Sequence, residues 1–174
     1  MAKRSYALWL MPTGEVKRQL ATTILALSKE YSTPAFEPHV TLLGGIVGPL
    51  PETMTKAAKL AQLLHPFVLR LTTVGFLEEY FRCLFIRVAP TNLLVKAHRV
   101  ASEVFQVRFQ SAYMPHLSLM YGNLDPQRQE SIIAALGRRL DFEFNARATY
   151  LYLIRGEPYQ WRRVQAFDLR GGCT

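Results

Sequence analysis

The chain says one thing twice. EPHVTLLGG at residues 37–45 aligns without gaps to MPHLSLMYG at residues 114–122, and both read Pro-His-aliphatic-hydroxyl-Leu. A β-strand sends residues i and i+2 to one face and the residue between them to the other. Each copy therefore sets an imidazole beside a hydroxyl, His39 with Thr41 and His116 with Ser118. Val40 and Leu42 back the first pair, Leu117 and Leu119 the second. One such pattern among four histidines would carry little weight. Two copies sharing the preceding Pro, the aliphatic and the following Leu constrain the whole chain. If a pseudo-twofold axis relates the two strands, both His–hydroxyl pairs converge on one cleft. His65 and His98 lack the context and read as structural histidines.

Hydrophobic periodicity and turn residues fill in the surroundings. Ser5–Met11 reads as a strand closed by Pro12-Thr13-Gly14, and Glu15–Tyr31 as a helix with Val16, Leu20, Ile24 and Leu27 on one stripe. Pro38 leads into a strand over His39–Leu43. The glycine-rich Leu43–Pro51 segment reads as a loop, either a mobile rim or a tight connection. A helix is expected over Glu52–Leu64, a hairpin over Phe67–Leu77 and Phe81–Val88, a helix over Leu93–Val107 and a strand over His116–Tyr121. Asp125-Pro126 opens a helix reaching about Arg139, with Asp as cap and Pro at the first position. Phe142–Ile154 and Val164–Leu169 close the chain as strands. This order fits an α+β fold of mainly antiparallel sheets with helices on their outer faces, formed by one domain over residues 1–174.

Composition narrows the setting. No apolar run approaches the roughly 20 residues needed to span a bilayer. The basic start and short apolar run of MAKRSYALWLMPTGEV lack a small-residue cleavage site, so the reading is a first strand in a cytoplasmic protein. Cys83 and Cys173 are too few for a disulfide framework and read as free thiols in a reducing compartment. Neither a CxxC pair nor a His/Cys cluster supports zinc, and no cofactor is implied. A net charge of +8 favours polyanionic partners, nucleic acid or phosphorylated metabolites, without choosing between them.

Two histidines with unperturbed pKa values near 6.5 can serve as general base and general acid around neutral pH. Two hydroxyls can hold the nonbridging oxygens of a phosphate. The set suits in-line attack of water on a phosphodiester without a metal. His39 and His116 are the catalytic candidates, Thr41 and Ser118 the phosphate-binding ones.

PHVTL and PHLSL resemble the paired His-x-Thr/Ser motifs of the two-histidine phosphoesterase superfamily. Within it, the chain is most similar to the cyclic phosphodiesterases that open ADP-ribose 1″,2″-cyclic phosphate. The likeness extends to YALWLMP, YFRCLFIRV and WRRVQAFDL. The resemblance implies two pseudo-symmetric lobes about a central cleft. One histidine would activate water, with His116 preferred, and the other, His39, would protonate the leaving ribose oxygen. Tyr121, in the family's Ser-Leu-x-Tyr context, is expected near the substrate, with Phe81 and Trp9 toward its nucleoside end. The substrate's pyrophosphate makes Arg82, Arg87, Arg147 and Arg155 candidate contacts. The implied partner is a small cyclic phosphate nucleotide acted on by a monomer. The rival readings are an RNA 2′,3′-cyclic phosphodiesterase or 2′–5′ ligase-like enzyme and a noncatalytic module binding RNA 3′ ends.

Overall fold

The structure, a computed structural model, describes residues 4–108 and 112–171. Its elements are β1 (Arg4–Leu10), α1 (Gly14–Tyr31), β2 (Val40–Gly48), α2 (Leu50–Leu63), β3 (Phe67–Gly75), β4 (Leu84–Val88) and α3 (Asn92–Phe105). β5 (His116–Met120), α4 (Pro126–Leu136), β6 (Arg139–Ala146), β7 (Ala148–Ile154) and β8 (Arg162–Asp168) complete the order. Single 3₁₀ turns cover Tyr80–Arg82 and Pro158–Gln160. Cys83 is a buried free thiol, while Cys173 lies outside the described residues.

The helix ends follow local chemistry. α1 buries Leu20, Ile24 and Leu27 and stops at Ser32, which takes a left-handed φ of 54° and donates its N–H to Ser28 O. α3 is capped by Thr91, whose hydroxyl accepts from the Leu94 N–H at 3.3 Å. α4 opens as its sequence expects: Asp125 Oδ1 accepts from the Arg128 N–H at 2.9 Å and Pro126 fills the first turn. α2 starts at Leu50 rather than Glu52, because Pro51 fits a first turn, where no N–H is needed.

All eight strands are antiparallel to their neighbours and form one sheet, β6-β3-β4-β5-β2-β1-β7-β8. Its halves are not equally joined. Each half is a four-stranded set with long registers, and the two meet between β5 and β2 through the pair Val40–Leu117. The two motif strands are thus the central strands, one from each half. Among the described residues, no helix is long and apolar enough to cross a membrane.

Three expectations change. The Gly44-Gly45 loop is instead strand: β2 continues to Gly48, bulging against β1 between Tyr6 and Leu8, with Gly45 at φ +68°. The start of the Phe81–Val88 strand is taken by the 3₁₀ turn, so β4 begins at Leu84. Phe142–Ile154 is two strands, broken at Arg147, and the first begins at Arg139, beyond a helix that already ends at Leu136. Alternating apolar residues run through the break, so periodicity alone reads a single strand. β6 pairs with β3 at one edge of the sheet and β7 pairs with β1 toward the other. A single connecting residue spans only a few ångströms, so the sheet must curl to bring those regions together.

The main core contains Leu20, Ile24, Val40, Leu42, Leu60, Leu84, Ile86, Leu94, Leu117 and Leu119 and joins the helices to one face of the sheet. A small second cluster of Ala7, Trp9, Met11 and Tyr152 lies apart from it, on the face toward which His39 and Thr41 alternate away from Val40 and Leu42. Leu117 is fully buried at the joint between the halves. Leu117→Ala should cost about 2–5 kcal/mol, read as a lowered urea midpoint with little change in m.

Candidate active site

The Val40–Leu117 pair sets the geometry. Both side chains are fully buried in the core. Continuing that antiparallel register by one residue either way puts His39 across from Ser118 and Thr41 across from His116. Flanking strands extend the pattern: Trp9 pairs with Thr41, Phe85 with Ser118 and Arg87 with His116. Paired residues share a face. Two rows therefore cross the middle of the sheet opposite the helices, Trp9–Thr41–His116–Arg87 and His39–Ser118–Phe85. The pseudo-twofold axis passes through the aliphatic pair.

Both imidazoles are held in the same way. His39 Nδ1 lies 2.6 Å from Glu37 O, and His116 Nδ1 lies 2.9 Å from Met114 O. A carbonyl oxygen only accepts, so each Nδ1 carries the proton. When the rings are neutral, each Nε2 keeps its lone pair for chemistry. The intervening Pro38 and Pro115 are buried and offer no N–H to compete for these carbonyls.

The two halves differ in packing. Trp9 stacks on His39 with ring centroids 3.5 Å apart and planes 10° apart, and its ring also stacks on Tyr152 at 3.7 Å. Phe85 meets His116 edge-on at 5.3 Å. His39 is 5% exposed, and burial pushes its pKa down to about 4 against the opposing pull of the Glu37 carbonyl bond. The charge of His116 also reaches it, which puts both rings in one electrostatic site. Burial lowers His116 as well, opposed by its Met114 bond, while nearby Arg82 and Arg87 lower it and Glu79 raises it. Burial thus favours the neutral form of both imidazoles at neutral pH.

The remaining sequence candidates fall in distinct places. Trp9 is buried with one partner on His39 and another on Tyr152, so it supports the histidine ring. Tyr121 is also buried, stacked on Phe36 at 3.9 Å, and interacts through its hydroxyl with Ser118. Phe81 is 54% exposed, and its carbonyl accepts the Ser118 hydroxyl at 3.1 Å. Its ring lies 5.3 Å from Tyr121 and 6.1 Å from Trp161. Arg87 flanks His116, and Arg82 is ion-paired to Glu79. Arg147 lies in the β6–β7 link and Arg155 just after β7, both exposed and both away from the two motif strands.

Phe36, Glu37, Phe85, Tyr152 and Trp161 were not picked out by sequence reasoning. Glu37 and Met114 could have been, since each lies two residues before a motif histidine with only Pro between. Phe36 directly precedes Glu37, while Phe85, Tyr152 and Trp161 come from distant strands and turns, and nothing local marks those three. Of the remaining histidines, His98 Nδ1 is 2.8 Å from Leu42 O and its ring stacks on Tyr113 at 3.8 Å. Tyr113 in turn donates its hydroxyl to Thr41 O at 2.9 Å. That pair props β2 behind the motif.

A family model described as "Cyclic phosphodiesterase-like protein" matches residues 4–167. A cyclic phosphodiesterase of Arabidopsis thaliana is 25% identical over 129 residues, covering 74% of this chain and 71% of that protein. A 2′,3′-cyclic-nucleotide 3′-phosphodiesterase of Yarrowia lipolytica is 28% identical over 144 residues, covering 76% of this chain and 64% of that protein. Among solved structures, TT0787 of Thermus thermophilus superposes with a TM-score of 0.69 at 17% identity, over 96% of this chain and 98% of its own. E. coli LigT complexed with 3′-AMP gives 0.66 at 12% identity, over 97% and 99%. These two likenesses establish the α+β fold.

The buried His39 links stability to pH. An unfolded histidine titrates near 6.5, whereas folded His39 titrates at about 4. Between those values the unfolded chain binds a proton that the native state refuses. The stabilisation is therefore complete above about pH 6.5 and is lost as pH falls toward 4. The loss attributable to His39 should be on the order of 3 kcal/mol, with His116 adding in the same direction. Urea unfolding at pH 7.5 and 4.5 should show a smaller acid loss in His39→Gln than in the unsubstituted protein.

Proposed function

Because the chain belongs to the cyclic phosphodiesterase-like family and is thereby an enzyme, we propose that it opens ADP-ribose 1″,2″-cyclic phosphate to ADP-ribose 1″-phosphate. Nucleoside 2′,3′-cyclic phosphates are its secondary substrates, opened to 2′-phosphates. The observation that carries this reading is the bridge that sets two His–hydroxyl pairs, each with a free Nε2, about one axis. The name of the Yarrowia relative specifies cleavage at the 3′ oxygen, which supports 2′-phosphate products. The buried free thiol of Cys83 supports a reducing compartment such as the cytosol.

In the proposed reaction the Thr41 and Ser118 hydroxyls donate to the nonbridging oxygens of the phosphate. The Ser118 hydroxyl donates its hydrogen bond to Phe81 O, so it must rotate toward the incoming anion. Water attacks phosphorus in line and passes its proton to one Nε2. The other Nε2 donates a proton to the ribose oxygen as the P–O bond breaks. The two histidines end with their protonation exchanged and reset through solvent.

In the proposed reaction His116 is the base and His39 the acid. Burial is the largest influence on both rings and favours the neutral form in each. Beyond it, Arg82 and Arg87 disfavour a charged His116, which suits the base. The Glu37 carboxylate favours a charged His39 against the larger opposing influences of burial and of His116, so the acid role draws on the anionic phosphate contacting the ring. Arg87, paired in register with His116, is placed to add positive potential for the phosphate.

His39→Ala and His116→Ala should each lower turnover by roughly 10²–10⁴-fold, assayed on ADP-ribose 1″,2″-cyclic phosphate beside cyclic-ended RNA. Near-wild-type rates in both variants would sink the acid–base mechanism, and marked preference for RNA would replace the substrate. Since kcat/KM reports the free enzyme and both pKa values are depressed, its pH profile should be acid-shifted. A maximum is expected between about 4 and 6.5, with decline through neutrality, where the acid has lost its proton. A maximum above pH 7.5 would contradict the burial argument.

A further inference from the structure

Next to the proposed catalytic centre lies a second recess that the two-histidine chemistry does not use. It is an open cleft of about 380 Å³ between α1, the residues leading into β2 and the Pro158–Gln160 turn. That volume falls in the range of small-molecule sites. Trp9, Phe36, Glu37 and Tyr152 border it from the catalytic side, and Leu25, Tyr159 and Trp161 from the other. Leu25 is 46% exposed and Tyr159 73% exposed, so its rim leaves apolar surface in water.

Both stacking neighbours of Trp9 are already in place, His39 at 3.5 Å and Tyr152 at 3.7 Å. Trp9 thus separates the cleft from the histidine rather than offering it a stacking face. The aromatic surface within reach of a guest comes from Tyr159 and Trp161. Among the described residues lining the cleft, the charged one is Glu37. Burial raises its pKa, but hydrogen bonds from Tyr152 and Lys17 outweigh that and keep it below the ordinary carboxylate value. An ionised carboxylate repels a bare phosphate and accepts an N–H from an exocyclic amine. Lys17, 3.3 Å from Glu37, and Arg163, whose charge also reaches it, add positive charge beside that carboxylate. Glu37 couples the two places directly, since its backbone carbonyl holds His39 Nδ1.

We propose that this cleft seats the nitrogenous base at the far end of an extended substrate, joined through further phosphate to the ribose that carries the cyclic phosphate. The proposal rests on the hydrolase reading above. A flat heterocycle with an exocyclic amine matches the aromatic rim and the carboxylate together, on the far side of Trp9 from His39. The enzyme would then bind extended substrates by two handles and cut at one.

Leu25→Trp narrows the cleft from an exposed helix position, and Tyr159→Ser removes a stacking face from an exposed turn. Each variant and the wild type would be assayed on ADP-ribose 1″,2″-cyclic phosphate, on a dinucleotide ending in a 2′,3′-cyclic phosphate, and on uridine 2′,3′-cyclic phosphate. The ratio of kcat/KM for an extended substrate to that for the uridine compound should fall about tenfold in Leu25→Trp, the scale of one base–aromatic stack, mainly through KM. A fall on the ADP-ribose arm identifies a pyrophosphate-linked base, and a fall on the dinucleotide arm an RNA end. Unchanged ratios in both variants, with wild-type turnover of the uridine compound intact, overturn the cleft and leave the hydrolase reading standing. Should the wild type turn over none of the three, ADP-ribose binding followed by tryptophan fluorescence decides separately. Binding weakened about tenfold by Leu25→Trp supports the cleft, and no binding or unaltered binding rejects it.

Discussion

Everything in the proposed site hangs from one cross-strand contact. Val40 and Leu117 pair where two four-stranded halves meet, and both side chains go into the core. Alternation along a strand then leaves no freedom for their neighbours: His39, Thr41, His116 and Ser118 must all turn to the opposite face. A one-residue slip at this bridge would send the imidazoles into the core and the aliphatics into the cleft. The hydrophobic cost of that exchange specifies the geometry of the proposed site, so the core and the site are two faces of one register.

Around this register, symmetric and asymmetric features divide the site. The symmetric part holds each imidazole by its Nδ1 to the carbonyl two residues back, which leaves each neutral ring its lone pair at Nε2. The asymmetric part surrounds one ring with Trp9, Tyr152 and Glu37 and the other with Phe85, Arg82 and Arg87. A cyclic phosphodiester needs one group to take a proton and another to give one. In the proposed reaction the unequal charges around the two rings make them chemically distinct partners for that work.

The helices are legible in the sequence where local chemistry is strong. Asp125-Pro126 opens α4 as its capping pattern requires, and the Leu20–Ile24–Leu27 stripe faces the core. Boundaries fail where a local pattern is continuous across a change of partner. Phe142–Ile154 alternates through Arg147, yet β6 and β7 pair with strands of opposite halves. Gly44-Gly45 reads as a loop because glycine is rare in strands, and the bulge against β1 that needs it is a property of the pairing. Trp9 and Tyr121 read from the sequence as residues near the substrate. Both are buried beside the motif residues, one behind His39 and one beside Ser118, because ring stacking depends on neighbours from distant segments.

The sequence by itself determined which side chains stand together in each motif: the duplicated Pro-His-aliphatic-hydroxyl-Leu phrase carries its own alternation, so the pairing of His39 with Thr41 and of His116 with Ser118 needed no fold. Tertiary structure alone decided which residues surround them. That Trp9 stacks on His39, that Arg87 flanks His116, and that Glu37 faces both a histidine and an aromatic cleft depend on strands and turns distant in the chain. Burial and fixed charge tune an imidazole through space, and spatial neighbours across a curled sheet leave no periodic mark on the chain.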